Sequence, residues 1–364
     1  MNIKNLKKHI GGKGWMLIPV VCSIALALLL FFGIGFNTDL AFSLKDADIP
    51  KYPPLNKQEY DDRLYLLANG TTTRPEIATT SSSTSPAKVP LWPVLSAPYP
   101  KDGAILPFKR IIAYYGNLKS TRMGVLGEYP EDQMLAMLAS TTAQWTLADP
   151  STPAIPALHY IAVTAQGAPG EDGMYRARMP HTEIDKVIAM AKKIDAIVFL
   201  DIQVGYSTIE QELPLLDTYL ALPNVHLAID PEFSMKRRIP PGKVVGTYDA
   251  TDINWVSQHL ADIVNTYDLP PKILIVHRYT QEMMTNYQNI ITRPEVQTVI
   301  HMDGWGGKSN KLSSYFQYIY KEPVQFTGFK LFYKNDFRIA GTRMMTPEEV
   351  LTEATPTPVY IQYQ

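Results

Sequence analysis

The stretch "VHLAIDPEF" (225–233) sets Val225, Leu227 and Ile229 against His226, Ala228 and Asp230, and Glu232 continues the second row after Pro231. Residues two apart in a strand share a face. One row is therefore apolar, and the other ends in two neighbouring carboxylates. Like charges that close raise one another's proton affinity, which disfavours stability and suits acid–base chemistry.

Seven further β-branched or aromatic runs surround this one. They are "RIIAYYGN" (110–117), "LHYIAVTAQG" (158–167), "AIVFLDIQVG" (196–205), "KVVGTYDA" (243–250), "KILIVHRYT" (272–280), "QTVIHMDGWG" (297–306) and "FTGFKLFYKND" (326–336). Helical patterns such as "TEIDKVIAMAKKID" (182–195) and "DINWVSQHLADIVNTYD" (252–268) fall between them, with apolar residues at three- and four-residue spacing. Alternating strands and helices imply parallel strands, and eight such units fit a (β/α)8 barrel of the TIM type. An open doubly wound sheet is the rival architecture. Only "SMKRRIPPGK" separates the fourth and fifth runs. That is too short for an ordinary parallel crossover, so the fourth helix is expected to be reduced.

In such a barrel the site forms at the C-terminal ends of the strands. The runs end in Tyr115 and Asn117, Thr164 and Gln166, Asp201 and Gln203, Asp230 and Glu232, Tyr248 and Asp249, His277 and Tyr279, His301 and Asp303, and Lys330 and Tyr333. Asp201, Asp230, Glu232 and Asp303 are the candidate catalytic group. Tyr115, Gln166, Gln203, His277, His301, Trp305, Lys330 and Tyr333 are the candidate ligand-binding residues. His159 and His226 sit early in their runs and read as packed structural residues. Asp249 reads as a cap for the helix that follows. The Gly/Pro-rich "AQGAPGEDGMYRARMP" (165–180) and "DGWGGKSNK" (303–311) are the loops expected at the mouth, with Tyr175, Tyr206 and Trp305 as possible cleft aromatics.

The chain has 364 residues and a net charge of −1, which points away from a nucleic-acid partner. Residues 1–14 carry Lys4, Lys7, Lys8 and Lys13 and no acid, and Trp15 to Phe36 carries no charge. This predicts a cytoplasmic tail (1–14), a transmembrane anchor (15–36) and an exported remainder. A cleaved signal peptide is the rival. Cys22, the single cysteine, lies inside the apolar run. Residues 37–105 contain "TTTRPEIATTSSSTSPAKVP" and read as a linker. The barrel is placed at 106–350 and a C-terminal tail at 351–364.

Asp230-Pro231-Glu232 resembles the D-x-E at the end of strand four in family 18 chitinases and family 25 lysozyme-like muramidases, both barrel glycosidases. The resemblance implies that Glu232 protonates a glycosidic oxygen while Asp230, deeper and ionised, assists. It departs from the chitinase pattern at Val225 and Ala228, where the two earlier aspartates would stand, and in the intervening proline. The strand ends "LDIQ", "DPE" and "HMDG" are also similar to those of an uncharacterised group of secreted or lipoprotein-like bacterial barrels.

The expected function is therefore a membrane-anchored glycoside hydrolase acting on cell-wall or extracellular glycan. The alternatives are a non-catalytic glycan-binding barrel and a metal-dependent hydrolase drawing on Asp201, Asp230, Glu232, His277, His301 and Asp303. Neither H-x-H nor H-E-x-x-H occurs, and no nucleotide signature is present. No cofactor or metal is expected.

Overall fold

A computed structural model of the protein describes residues 51–70 and 97–364. Eight parallel strands close into a ring: β1 (Arg110–Gly116), β2 (Ala154–Ala165), β3 (Ile197–Ile202), β4 (Val225–Ile229), β5 (Lys272–Arg278), β6 (Val296–Met302), β7 (Phe326–Leu331) and β8 (Tyr360–Tyr363). Each pairs with its neighbours in chain order. β8 completes the ring against β1, with Ile111 opposite Tyr360. This is the expected (β/α)8 barrel.

Two of its units differ from the sequence reading. The run 243–250 is not a barrel strand: only Tyr248–Asp249 pairs, with Met284–Thr285, in a two-stranded patch outside the ring. The eighth strand is instead Tyr360–Tyr363, within the segment assigned to a C-terminal tail. The fourth crossover is consequently long and carries a full helix, Ala250–Tyr267, so the expected reduction there is corrected. Asp249 caps this helix with Asp252 in a capping box, the role its sequence position suggested. The crossover with reduced helix is the fifth, which holds only the short turns Gln281–Met283 and Tyr287–Asn289.

The period of two sorts the strand residues into two cores. Ile112, Tyr114, Leu158, Leu200, Leu227, Val276, Ile300 and Ile361 face the surrounding helices. Ile111, Ala113, Phe199, Ala228, Ile275, Val299 and Tyr360 fill the barrel. The N-terminal end of the barrel is covered by α1 (Lys57–Asn69), which packs Tyr60 and Leu64 into that inner core and also buries Ala68. Its surroundings are tied down by hydrogen bonds from Gly103 N to Pro53 O (2.9 Å), from Thr357 N to Leu67 O (2.9 Å) and from Arg63 Nη1 to Ser151 O (2.8 Å). The expected linker 37–105 is thus corrected over 52–69: that segment is part of the folded unit, which begins at Tyr52. The apolar face Tyr60–Leu64–Ala68, at i, i+4 and i+8, is the signal that places it there.

The expected tail 1–14 and anchor 15–36 lie outside the described residues. Among the described residues no helix is long and apolar enough to cross a membrane.

Candidate functional site

The inner row of each strand turns polar toward its C-terminal end, and these ends meet in one cleft of about 510 Å³. Tyr115, Gln203, Asp230, Glu232, Asp303, Trp305 and Lys330 line it, as the strand-end reading expected. Asp201, His277 and His301 lie beneath its floor, fully buried.

Two candidates point elsewhere. β2 stops at Ala165 and turns into a hairpin with Arg176–Arg178, so Gln166 folds back onto its own segment, Nε2 donating to Thr164 O at 3.3 Å. β7 stops at Leu331. Tyr333 then packs outside the ring against Tyr114 and Tyr363, its hydroxyl 2.8 Å from that of Tyr114. Tyr175 and Tyr206 pair with each other, ring centroids 4.3 Å apart, and do not line the cleft.

Three strands supply the acid cluster. Asp230 Oδ1 accepts the Glu232 amide at 3.0 Å, which forms the tight turn Pro231–Phe233 and swings Glu232 over the mouth. Asp230 Oδ2 accepts from Gln203 Nε2 at 3.4 Å, and the same amide group donates to the Tyr115 hydroxyl at 3.2 Å. Gln203 is itself fixed because its Oε1 accepts the Ala165 amide at 3.1 Å. Asp303 accepts from His277 Nδ1 at 3.0 Å. The Lys330 ammonium lies 4.1 Å from the centroid of the Tyr115 ring, among the carboxylates.

The electrostatics follow from burial and crowding. Burial, then the neighbouring Asp303, push the Glu232 carboxyl above the usual range, while a hydrogen bond from Tyr279 pulls it back in part. Burial lifts Asp230 further, helped by Glu232, Asp201 and Asp303 and opposed by His277. With 3% of its surface exposed, Asp230 is drawn toward its neutral form by burial, while the donors on both its oxygens favour the ionised form that the resemblance implies. Burial also lowers the Lys330 ammonium, against the pull of the same carboxylates. Below the floor, burial would raise Asp201, but His277 overrides it and holds the carboxyl well below its ordinary value. Burial likewise opposes charge on His277, and Asp201 and Asp303 overcome this, raising it to about 10.

Several site residues were absent from the candidate set, although Tyr279 was named among the strand ends. Tyr279, Phe233 and Phe332 line the cleft, and Tyr279 hydrogen-bonds Glu232. Tyr279 lies two residues beyond His277, so strand alternation was the available signal. His159, read as packing, is an inner-row residue beside Asp201, with its Nε2 3.3 Å from Asp201 Oδ2. β2 begins at Ala154, so His159 is mid-strand rather than early. Gly328 makes room for this layer, since a Cβ there would come within 2.6 Å of His301 Nδ1. Asp336 joins the mouth loops by accepting the Gly306 and Phe332 amides, each at 3.0 Å, and binding Lys311.

No family model matches the chain, and no curated protein matches it. Among solved structures it is similar to the crystal structure of a ruminal GH26 endo-beta-1,4-mannanase, with a TM-score of 0.36 and 13% sequence identity. The match covers 71% of this chain and 59% of that one, and at that score it carries no argument about activity.

Proposed function

We propose that the protein is a glycoside hydrolase acting on cell-wall or extracellular glycan, held at the membrane by residues 15–36 with the barrel outside. The observation that carries the reading is the presence of two carboxylates, Glu232 and Asp303, in one open cleft at the strands' C-terminal end, with Glu232 biased toward its protonated form. Hydrolysis of a glycosidic bond calls for one carboxyl that gives a proton to the leaving oxygen and a second that acts as nucleophile or base. Glu232 is the acid, since it is half-buried at the mouth while both oxygens of Asp230 are engaged by donors. Asp303, oriented by His277, is the second carboxylate. Trp305, 51% exposed at the rim, offers a face for stacking on a sugar ring.

The test is a screen of peptidoglycan, chitin-like and α- and β-glucan oligomers, followed by Glu232→Gln on the substrate found. The variant is expected to fold and bind but to lose at least about 10²-fold in turnover. Full activity in Glu232→Gln removes it as the acid. Tight binding of a glycan with no turnover assigns the cleft to recognition.

A further inference from the structure

Beneath the cleft floor lies a cluster that meets the proposed reaction only through the hold of His277 on Asp303. His159 Nε2 and His277 Nε2 stand 3.3 and 3.5 Å from the same atom, Asp201 Oδ2. All three side chains are wholly buried. Neither approach has hydrogen-bond geometry, so both nitrogens and both Asp201 oxygens lack a hydrogen-bond partner. The charge of His277 offsets that of Asp201, but the inward-facing polar atoms remain unsatisfied in the barrel interior, which is costly.

The outer nitrogens of the two rings, by contrast, are occupied. His277 Nδ1 donates to Asp303 Oδ2 at 3.0 Å, and His159 Nδ1 lies 2.5 Å from the Tyr360 hydroxyl, an acceptor for the ring that itself takes a hydrogen bond from Gln362 Nε2 at 3.0 Å. Each ring therefore has Nδ1 held from outside and Nε2 turned inward. A metal-ligating imidazole is held this way, its second nitrogen fixed by a carboxylate or another acceptor. The spacing agrees as well. Ligand bonds of about 2.0–2.1 Å at tetrahedral angles leave neighbouring donor atoms about 3.3–3.4 Å apart. The two approaches to Asp201 Oδ2, 3.3 and 3.5 Å, match this spacing, and the three donor atoms all lie within 4.8 Å of one another. Asp201, Asp230, Glu232 and Asp303 also concentrate acid groups around Lys330, and a cation relieves that excess.

We propose that His159, Asp201 and His277 bind a divalent transition-metal ion of the zinc class under the floor of the cleft. Two imidazoles and one carboxylate suit zinc or iron(II) better than calcium or magnesium, which prefer oxygen ligands throughout. The ion binds Asp201 directly and, through His277, fixes the orientation of Asp303. The proposal does not depend on which reaction the cleft performs. Because the ligands are sealed from solvent, loading accompanies folding.

The full chain, purified without chelator, is expected to carry a stoichiometric transition metal by mass spectrometry. That ion should resist dialysis of the native protein against EDTA and leave on unfolding. Refolding with Co²⁺ should give visible d–d absorption bands from a bound nitrogen–oxygen site. His159→Gln and Asp201→Asn should abolish both signals. Asp303→Asn, which alters the outer partner of His277 and none of the three ligands, should keep the site while weakening metal affinity about 10–100-fold. A wild-type chain that refolds to the native state without a transition metal, and takes up neither Zn²⁺ nor Co²⁺, overturns the proposal. So do folded His159→Gln and Asp201→Asn variants that still hold a stoichiometric ion.

Discussion

Leu64→Ala tests whether α1 belongs to the barrel. Leu64 is 8% exposed and packs in the inner core with Ile111, Phe199 and Val299. The substitution removes three carbons, each worth about 0.8 kcal/mol of burial, so roughly 2.4 kcal/mol is lost before any cavity cost. Leu→Ala changes in cores span about 2–5 kcal/mol. α1 lies at one end of the barrel, where neighbours have room to settle, so we expect about 2–3 kcal/mol. At about 2.1 cal/mol/K per residue, the unit Tyr52–Gln364 has an unfolding entropy of roughly 0.6 kcal/mol/K, which gives a Tm drop of roughly 3–5 °C. Urea unfolding followed by circular dichroism, with an unchanged m-value, is the assay. A loss below about 0.5 kcal/mol, the level of surface substitutions, would refute the packing of α1 and restore the linker reading.

Tyr279→Phe removes a hydrogen bond that favours the charged form of Glu232, so the alkaline limb of activity should move to higher pH; an unmoved or lowered limb counts against Glu232 as the acid. Asp230 has its folded-state pKa raised above the unfolded value, so its carboxyl favours the native state at low pH and that favour is lost as pH rises. Asp230→Asn should therefore stabilise the protein at neutral pH and lose that advantage toward pH 4, as read by thermal melts across pH; a melt lowered at neutral pH refutes the assignment. Protease added to intact cells should strip the barrel from the membrane fraction, whereas protection until lysis defeats the proposed topology.

Most of the ring was legible because its strands keep a period of two, broken in β2 only by the irregularity between Ile161 and Val163. The alternation in 225–233 places Asp230 and Glu232 correctly, and the same logic places Asp201, His277 and Asp303. It fails where local composition resembles a strand that tertiary structure does not use. Val244, Val245 and Tyr248 mimic a strand, yet most of that run is a loop, and a Cβ on Gly246 would meet Pro231 O at 2.5 Å. β8 has only four residues after "TPTPV", too short for its alternation to stand out. Gln166 and Tyr333 were misplaced because the parity rule was carried past the last paired residue, where the chain is free to turn.

The neighbour of β1 on one side is β2, but on the other it is β8, reached only after every other strand has been laid down. Until residues near 360 are available, any growing or truncated chain presents two unpaired sheet edges, each able to recruit another molecule. Joining Ile111 to Tyr360 is also the contact of greatest sequence separation among the strand pairs, and such late, long-range closures slow folding. The chain is thus most prone to aggregate during synthesis, before its last strand arrives, and most dependent then on chaperones that shield open edges.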